Sequence, residues 1–322
     1  MANLNAVNIL KQQLNLVEAK STGDTPITLE KVTAQNLLQH FFEKSLFSNI
    51  CKNNLIVSIN SQKVSVMLNP TTVFHNRGES LGSETPDKLR LGKQVDIPWN
   101  QSFYASEGIT EQERQLLPID VLASKLSRYY NDFILDHEMS AFKALENKIV
   151  KDKKVTVLNY TEKEPLEFKK ELTKLATQLT QTIDKEQGIK FINREKIVIF
   201  VHPLAFDHLA DAGLVGNRAA QTIEGGQYSY GELGGYKVYS NPYLQDFDAI
   251  VTTDFVAVQA VNAIKTYMGP IDFASADKVV RAEFADLYGV LYDGLALGIS
   301  KTAQATTKEE DKFITDPTAR TE

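Results

Sequence analysis

Cysteine is almost missing: Cys51 is the only one in 322 residues, so an intrachain disulfide is excluded and assembly inside a cell is the natural reading. Next to Leu55, Ile56 and Val57, it reads as a small buried hydrophobe and not as a nucleophile. Long apolar runs are missing too, since no stretch approaches the ~20 residues needed to span a bilayer. The opening Met1-Ala2-Asn3-Leu4 lacks the basic-then-apolar layout of a signal peptide. The expectation is a soluble, cytosolic chain without a membrane partner. An excess of positive charge is also lacking: 35 basic against 41 acidic residues give a formal net charge of -6. Proteins that grip nucleic acid carry a basic footprint, so sequence-specific DNA binding is not the main task. Tryptophan occurs once, as Trp99.

Catalytic signatures are equally scarce. The stretch Gly225-Gly226-Gln227-Tyr228-Ser229-Tyr230-Gly231-Glu232-Leu233-Gly234-Gly235 is glycine-rich, yet no Gly-Lys-Ser/Thr closes it as a phosphate loop requires. A strand follows it where a dinucleotide fingerprint needs a helix. Its interleaved tyrosines, Tyr228, Tyr230 and Tyr236, fit a turn or loop at a symmetry axis, where glycine lets backbones approach closely. The five histidines, His40, His75, His137, His202 and His208, are scattered. Asp207 and Asp211 share a helix face, but His202 lies before Pro203 and outside that helix, so a capped surface helix outweighs a metal site. His137 falls on an apolar helix face and reads as a hydrogen-bonded core or interface histidine. No Gly-x-Ser-x-Gly or His-Glu-x-x-His pattern is present. No enzyme, cofactor or metal is expected.

What is present is long and patterned. With 43% hydrophobic and 24% charged residues, the chain has ample material for a core. Leu4, Val7, Leu10, Leu14 and Val17 predict an amphipathic helix to Lys20, and Thr28 to Lys44 predicts a second. Leu55 to Leu68 alternates with period two, predicting two strands around an Asn60-Ser61-Gln62-Lys63 turn. The polar stretch Asn76 to Lys88 follows. Strand-like material then returns with Leu89, Leu91, Val95, Ile97, Trp99 and Phe103, so these arms predict an extended flap. Pro118 opens the strongest helix, through Leu122, Leu126, Tyr129, Tyr130, Phe133, His137, Ala141 and Leu145 to about Lys148. Some 30 residues make a rod of about 45 Å.

Beyond it, Lys154 to Leu158 predicts a strand and Pro165 to Lys185 a helix with the face Phe168, Leu172, Leu175, Leu179 and Ile183. The unbroken apolar run Ile197 to Val201 predicts a buried strand. A short helix, Leu204 to Ala212, is closed by Gly213. A glycine turn at Gly231 to Gly235 leads to the strand Tyr236 to Tyr239, the strand Ala249 to Thr252 and an Ala-rich helix over Phe255 to Ala263. Glycine-punctuated strands continue to Ser300, and a polar tail follows Lys301.

In this order, the flap, the long helix, the apolar strand before Pro203, the glycine turn, Ser240-Asn241 and Phe284-Ala285-Asp286-Leu287-Tyr288-Gly289-Val290 resemble the major capsid proteins of tailed bacteriophages. The likeness covers about Leu55 to Ile299. It implies an α+β fold of the Hong Kong 97 type. The N-terminal arm would span 1–48 and the extended loop 49–112. A peripheral domain on the spine helix would take 113–150 and an axial domain 151–262, with 263–322 returning to the peripheral domain and ending as the tail. It also implies self-assembly into hexamers and pentamers around double-stranded DNA, with portal and scaffolding or decoration proteins as partners. An encapsulin-like nanocompartment that encloses cargo is the alternative within the same fold. Trp99, Phe103, Tyr104, Tyr228 and Tyr230 are the expected contacts between subunits, because aromatic residues favour interface cores. Trp99 reads equally as a residue pinned under its own domain. Some relatives crosslink through Lys and Asn; Lys88 and Lys93 lie in the flap but read as solvated charges.

Overall fold

Apolar residues three and four apart, free of proline after the first position, fold as a 34-residue helix, α1 (Pro118–Lys151). At 1.5 Å per residue it is about 50 Å long. Leu126, Tyr130, Phe133, His137, Ala141, Leu145 and Ile149 form one buried stripe along it. In the computed structural model, residues 27–28, 45–55, 63–68, 70, 93–100, 102–109, 118–161, 163–214, 230–270 and 278–301 are described. The helices expected at 1–20 and 29–44, the polar stretch 76–88, Lys88, Leu89, Leu91, Tyr228 and the tail lie outside them, as does the side chain of Leu122.

In chain order the strands before α1 are β1 (Ile27–Thr28), β2 (Cys51–Leu55), β3 (Lys63–Leu68), β4 (Lys93–Pro98) and β5 (Phe103–Ile109). After it come β6 (Val155–Val157), α2 (Pro165–Thr180), β7 (Ile183–Asp184), β8 (Ile189–Lys190), β9 (Ile197–Val201) and α3 (Pro203–Asp211). The chain then runs through β10 (Tyr230–Leu233), β11 (Tyr236–Ser240), β12 (Ala249–Thr253), β13 (Ala257–Pro270), β14 (Lys278–Val290) and β15 (Leu297–Ser300).

Two sheets carry the fold. One is built on the long β13–β14 hairpin, in the order β1-β13-β14-β5, with β2 also paired to β13. The other runs β10-β11-β9-β12-β15-β6. The spine helix α1 lies against both. Its first half packs on the hairpin, where Phe133 stacks on Phe284 at 4.6 Å and Tyr130 meets the same ring edge-on at 5.2 Å. Its second half meets the six-stranded sheet, where Phe142 stands edge-on to Phe200 at 5.0 Å. Helix and sheet approach closely at Gly298. A Cβ there would fall 2.3 Å from Phe247 and 3.2 Å from Ile149, so only glycine fits.

Three expectations need correction. Phe255 to Ala263 is not a helix but part of the strand β13, which pairs with β14 from Ala257 to Pro270. Ala257 through Ala263 are all buried, so the alternation that marks a half-exposed strand is erased and the alanines read as helix formers. The helix begun at Pro165 stops at Thr180, and Ile183 lies 54% exposed in β7. Asp184 then shapes the turn from β7 into β8: its carboxylate accepts the N–H groups of Glu186 and Gln187, both at 3.0 Å. Of the two strands expected around Asn60, residues 56–62 lie outside the described ones. β2 joins β13, whereas β3 pairs with β4 as the flap ribbon. Finally, Gly231 is already in a strand. Only Gly234 and Gly235, at φ 61° and 84°, make the two-residue turn between β10 and β11.

Candidate functional site: the arm root, the flap root and the spine

The flap ribbon is amphipathic. Leu68 and Ile97 are buried, and Val64, Val66 and Val95 pack partly buried against the same core, so one face lies on the subunit's own body. On the other face, Asp96 accepts hydrogen bonds from Lys63 at 2.5 Å, Ser65 at 2.6 Å and Gln94 at 2.8 Å. The Lys63 bond above all holds its carboxyl well below the usual carboxylate range. Lys93 is not a free charge: its ammonium lies 2.6 Å from Asp293, which also binds Lys148 of the spine at 2.5 Å.

At the flap root, Ile97 fills the space over Gly289, where a Cβ would fall 2.7 Å from its Cδ1. Asn100 donates its backbone N–H to the Asp286 carbonyl at 3.0 Å and its side-chain amide to the Asp286 carboxylate at 2.9 Å. Trp99 packs partly buried against the subunit's core, and its indole N–H is buried without an acceptor among the described residues. Phe103 and Tyr104 follow on β5 and are 50% and 67% exposed. Phe103 touches the spine side, 6.4 Å from Phe133. Tyr104 lies on the opposite face under the Arg281 guanidinium at 4.6 Å. Tyr230 sits on the edge strand β10, away from this region. Tyr236 is fully buried, with Arg194 over its ring at 4.9 Å.

The arm root enters the core at Leu46, Phe47 and Ile50, none more than 1% exposed. Glu138 of the spine is buried beside it, accepting the Ser45 hydroxyl and the Phe47 N–H, the latter at 3.2 Å. Burial pushes the Glu138 carboxyl upward, whereas Ser45, the His137 charge and the Phe47 N–H pull it back. Cys51 donates its thiol to the Phe47 carbonyl, and burial, then the nearby Glu138 charge, raises its pKa well above the ordinary value. Such a thiol is inert, in keeping with its reading as a buried hydrophobe.

His137 is the core histidine its spacing predicts, with Nδ1 at 2.8 Å from Asp286 and Nε2 at 3.1 Å from Gln259. Its partners Asp286 and Gln259, with Glu138 and Ser45, were missed in the sequence. The signal was there: polar residues inside otherwise apolar strands are buried only when partnered. His202 and His208 are not brought together with Asp207 and Asp211 as ligands. Among the described residues no three His, Cys, Asp or Glu side chains converge as a metal site. No described helix is long and apolar enough to cross a membrane.

No protein-family model and no curated relative matches the sequence. Solved structures do. The capsid of Ralstonia phage GP4 superposes with a TM-score of 0.57 at 13% identity, covering 81% of this chain and 91% of that one. The mature capsid of bacteriophage PhiM1 gives 0.52 at 13% identity, covering 80% and 86%. The virus-like particle from Pyrococcus furiosus gives 0.51 at 10% identity, covering 84% and 98%. The spine helix, the long hairpin, the flap and the six-stranded sheet therefore constitute the fold of tailed-phage major capsid proteins, an α+β architecture of the Hong Kong 97 type.

Proposed function

We propose that this chain is the major shell subunit of a tailed-phage head, a structural protein and not an enzyme. Copies would join as hexamers and pentamers into an icosahedral shell around packaged double-stranded DNA, assembled in the host cytoplasm with portal and scaffolding or decoration proteins as partners. The observation that carries this reading is the likeness to several phage capsids over about four-fifths of the chain at TM-scores above 0.5. The division into arm (1–48), extended loop (49–112), spine (113–150), axial domain (151–262) and return (263–322) is the one that this reading assigns.

Phe103 and Tyr104 are the contacts that the geometry favours. Large aromatic side chains half or more exposed, one on each face of β5, suit interface contacts on either side of the strand. Trp99 would contribute through the flap root, and Tyr228 and Tyr230 at the axial end. The virus-like particle from Pyrococcus furiosus favours a second reading, a shell that encloses cargo protein in place of a genome. Electron microscopy of the expressed, purified chain tests both. Closed shells or rings support the shell, and nuclease-protected DNA against co-purifying protein separates genome from cargo. A monodisperse monomer under all assembly conditions would refute the proposal.

A further inference from the structure

The six-stranded sheet separates two helices. Phe142 of the spine meets Phe200 of β9, and Phe200 meets Tyr239 of β11 at 5.9 Å, so these rings mark one face of the sheet. Tyr236 lies three residues before Tyr239 in the same strand and therefore points to the other face. There its hydroxyl lies 3.4 Å from the Thr177 hydroxyl of α2. The outer surfaces of α1 and α2 thus face away from each other, with the sheet between them.

Each outer surface joins apolar side chains to charge of one sign. On the spine, Asp132, Leu135, Asp136 and Met139 recur three and four residues apart, on the side opposite Phe133 and His137. Leu135 and Met139 are 42% and 41% exposed. Asp132 and Asp136 stand one turn apart, an unfavourable spacing for like charges. Among the described residues only Arg128 reaches them, 4.0 Å from Asp132. Burial and then the Asp132 charge push the Asp136 carboxyl upward. On α2, an open groove of about 600 Å³ runs from Leu166, itself 46% exposed, to Gln181 just past the helix. Lys169, Lys170 and Lys174 line it, and no acidic side chain does among the described residues. Lys174 is 2.8 Å from Glu171, whereas Lys169 and Lys170 meet no carboxylate among the described residues.

We propose that the acidic spine stripe of one copy docks in the lysine groove of a second copy, head to tail. Leu135 and Met139 form a ridge one turn long, and Lys170 and Lys174 repeat along the groove at the same four-residue spacing. Lys169 and Lys170 gain the carboxylates they lack, and the repulsion between Asp132 and Asp136 is relieved. A subunit cannot do this for itself, because its stripe and its groove lie on opposite sides of the sheet. Two unlike patches on opposite sides make a heterologous contact, which builds rings when the rotation closes. The identity of the partner rests on the shell reading; the docking residues are what the geometry adds to it.

Charge reversal in the full chain tests the contact. Asp132→Lys with Asp136→Lys, or Lys169→Glu with Lys170→Glu, sets like charges face to face. Either pair should lower ring and shell assembly about tenfold or more by sedimentation and electron microscopy, with the urea midpoint nearly unchanged. All four substitutions in one chain should restore assembly. So should an equimolar mixture of the two reversed chains, since the spine of each then fits only the groove of the other. Leu135→Ser with Met139→Ser keeps every charge and should also weaken assembly. Normal shells from either reversed chain would overturn the docking alone, as would a groove reversal that lowers only nucleic-acid binding. Failure of both the fourfold variant and the mixture to recover assembly would overturn it too. A wild-type chain that never associates would overturn the shell reading, and the docking with it.

Discussion

Phe142→Ala measures how strongly the spine holds the arm root and the six-stranded sheet together. The Phe142 ring is fully buried and edge-on to Phe47 at 5.2 Å and to Phe200 at 5.0 Å, with Tyr243 parallel to it at 6.2 Å. Truncating a buried phenylalanine costs about 3–5 kcal/mol, because the transfer free energy is lost and a cavity remains. Here the upper part of that range is expected. The gap opens between a long helix and a sheet, which cannot close on it, and three ring contacts worth about 0.5–1.5 kcal/mol each vanish together. Against a typical total of about 5–15 kcal/mol, such a loss is large. Urea unfolding followed by Trp99 fluorescence and by circular dichroism gives the midpoint and slope. A double-mutant cycle with Phe47→Ala should show a coupling of about 1 kcal/mol, since the two rings touch. A loss below about 1.5 kcal/mol, or a coupling of zero, would refute this packing account.

Further tests address the hairpin, the close helix–sheet approach, the flap tether and the exposed aromatics. Phe133→Asp places an unpaired charge against Phe284, 4.6 Å from the present ring, and should prevent folding; a soluble, cooperatively unfolding variant would contradict it. Gly298→Ala forces a methyl into Phe247 and Ile149 and should cost about 1–3 kcal/mol by denaturant midpoint, whereas a neutral result would mean the sheet moves freely. Lys148 first and then Lys93 hold the Asp293 carboxyl below its ordinary value. Its contribution is therefore present above the unfolded-state pKa and fades as pH falls through the lower folded value. Asp293→Asn should flatten the acid side of the stability profile, by less than about 1 kcal/mol because the site is half exposed; an unchanged acid slope would exclude the tether. Phe103→Ser with Tyr104→Ser should leave unfolding nearly unchanged but lower shell yield under the microscope, and undiminished shells would remove these rings from the interface.

Local pattern alone dictated several elements. Three- and four-residue spacing fixes the spine, and the buried face of α2 is visible in Phe168, Leu172, Leu175 and Leu179. The unbroken run Ile197 to Val201 can only be a buried strand, and every residue of it is buried. Even His137 could be assigned to the core from its place on the apolar stripe. These features rest on neighbours in sequence, so the sequence by itself determines them.

Tertiary structure decided the rest, because the deciding partner lies far along the chain. β13 is a strand only because β14 pairs with it and because burial on both faces hides its alternation. The flap ribbon takes its register from β4, some thirty residues beyond β3, so no turn near Asn60 could predict it. Asp286 and Gln259 become a buried network only when helix, hairpin and arm converge on one histidine. Periodicity tells a residue which way to face, but it cannot name the group waiting there. That is settled when the chain closes and each buried donor must find its acceptor.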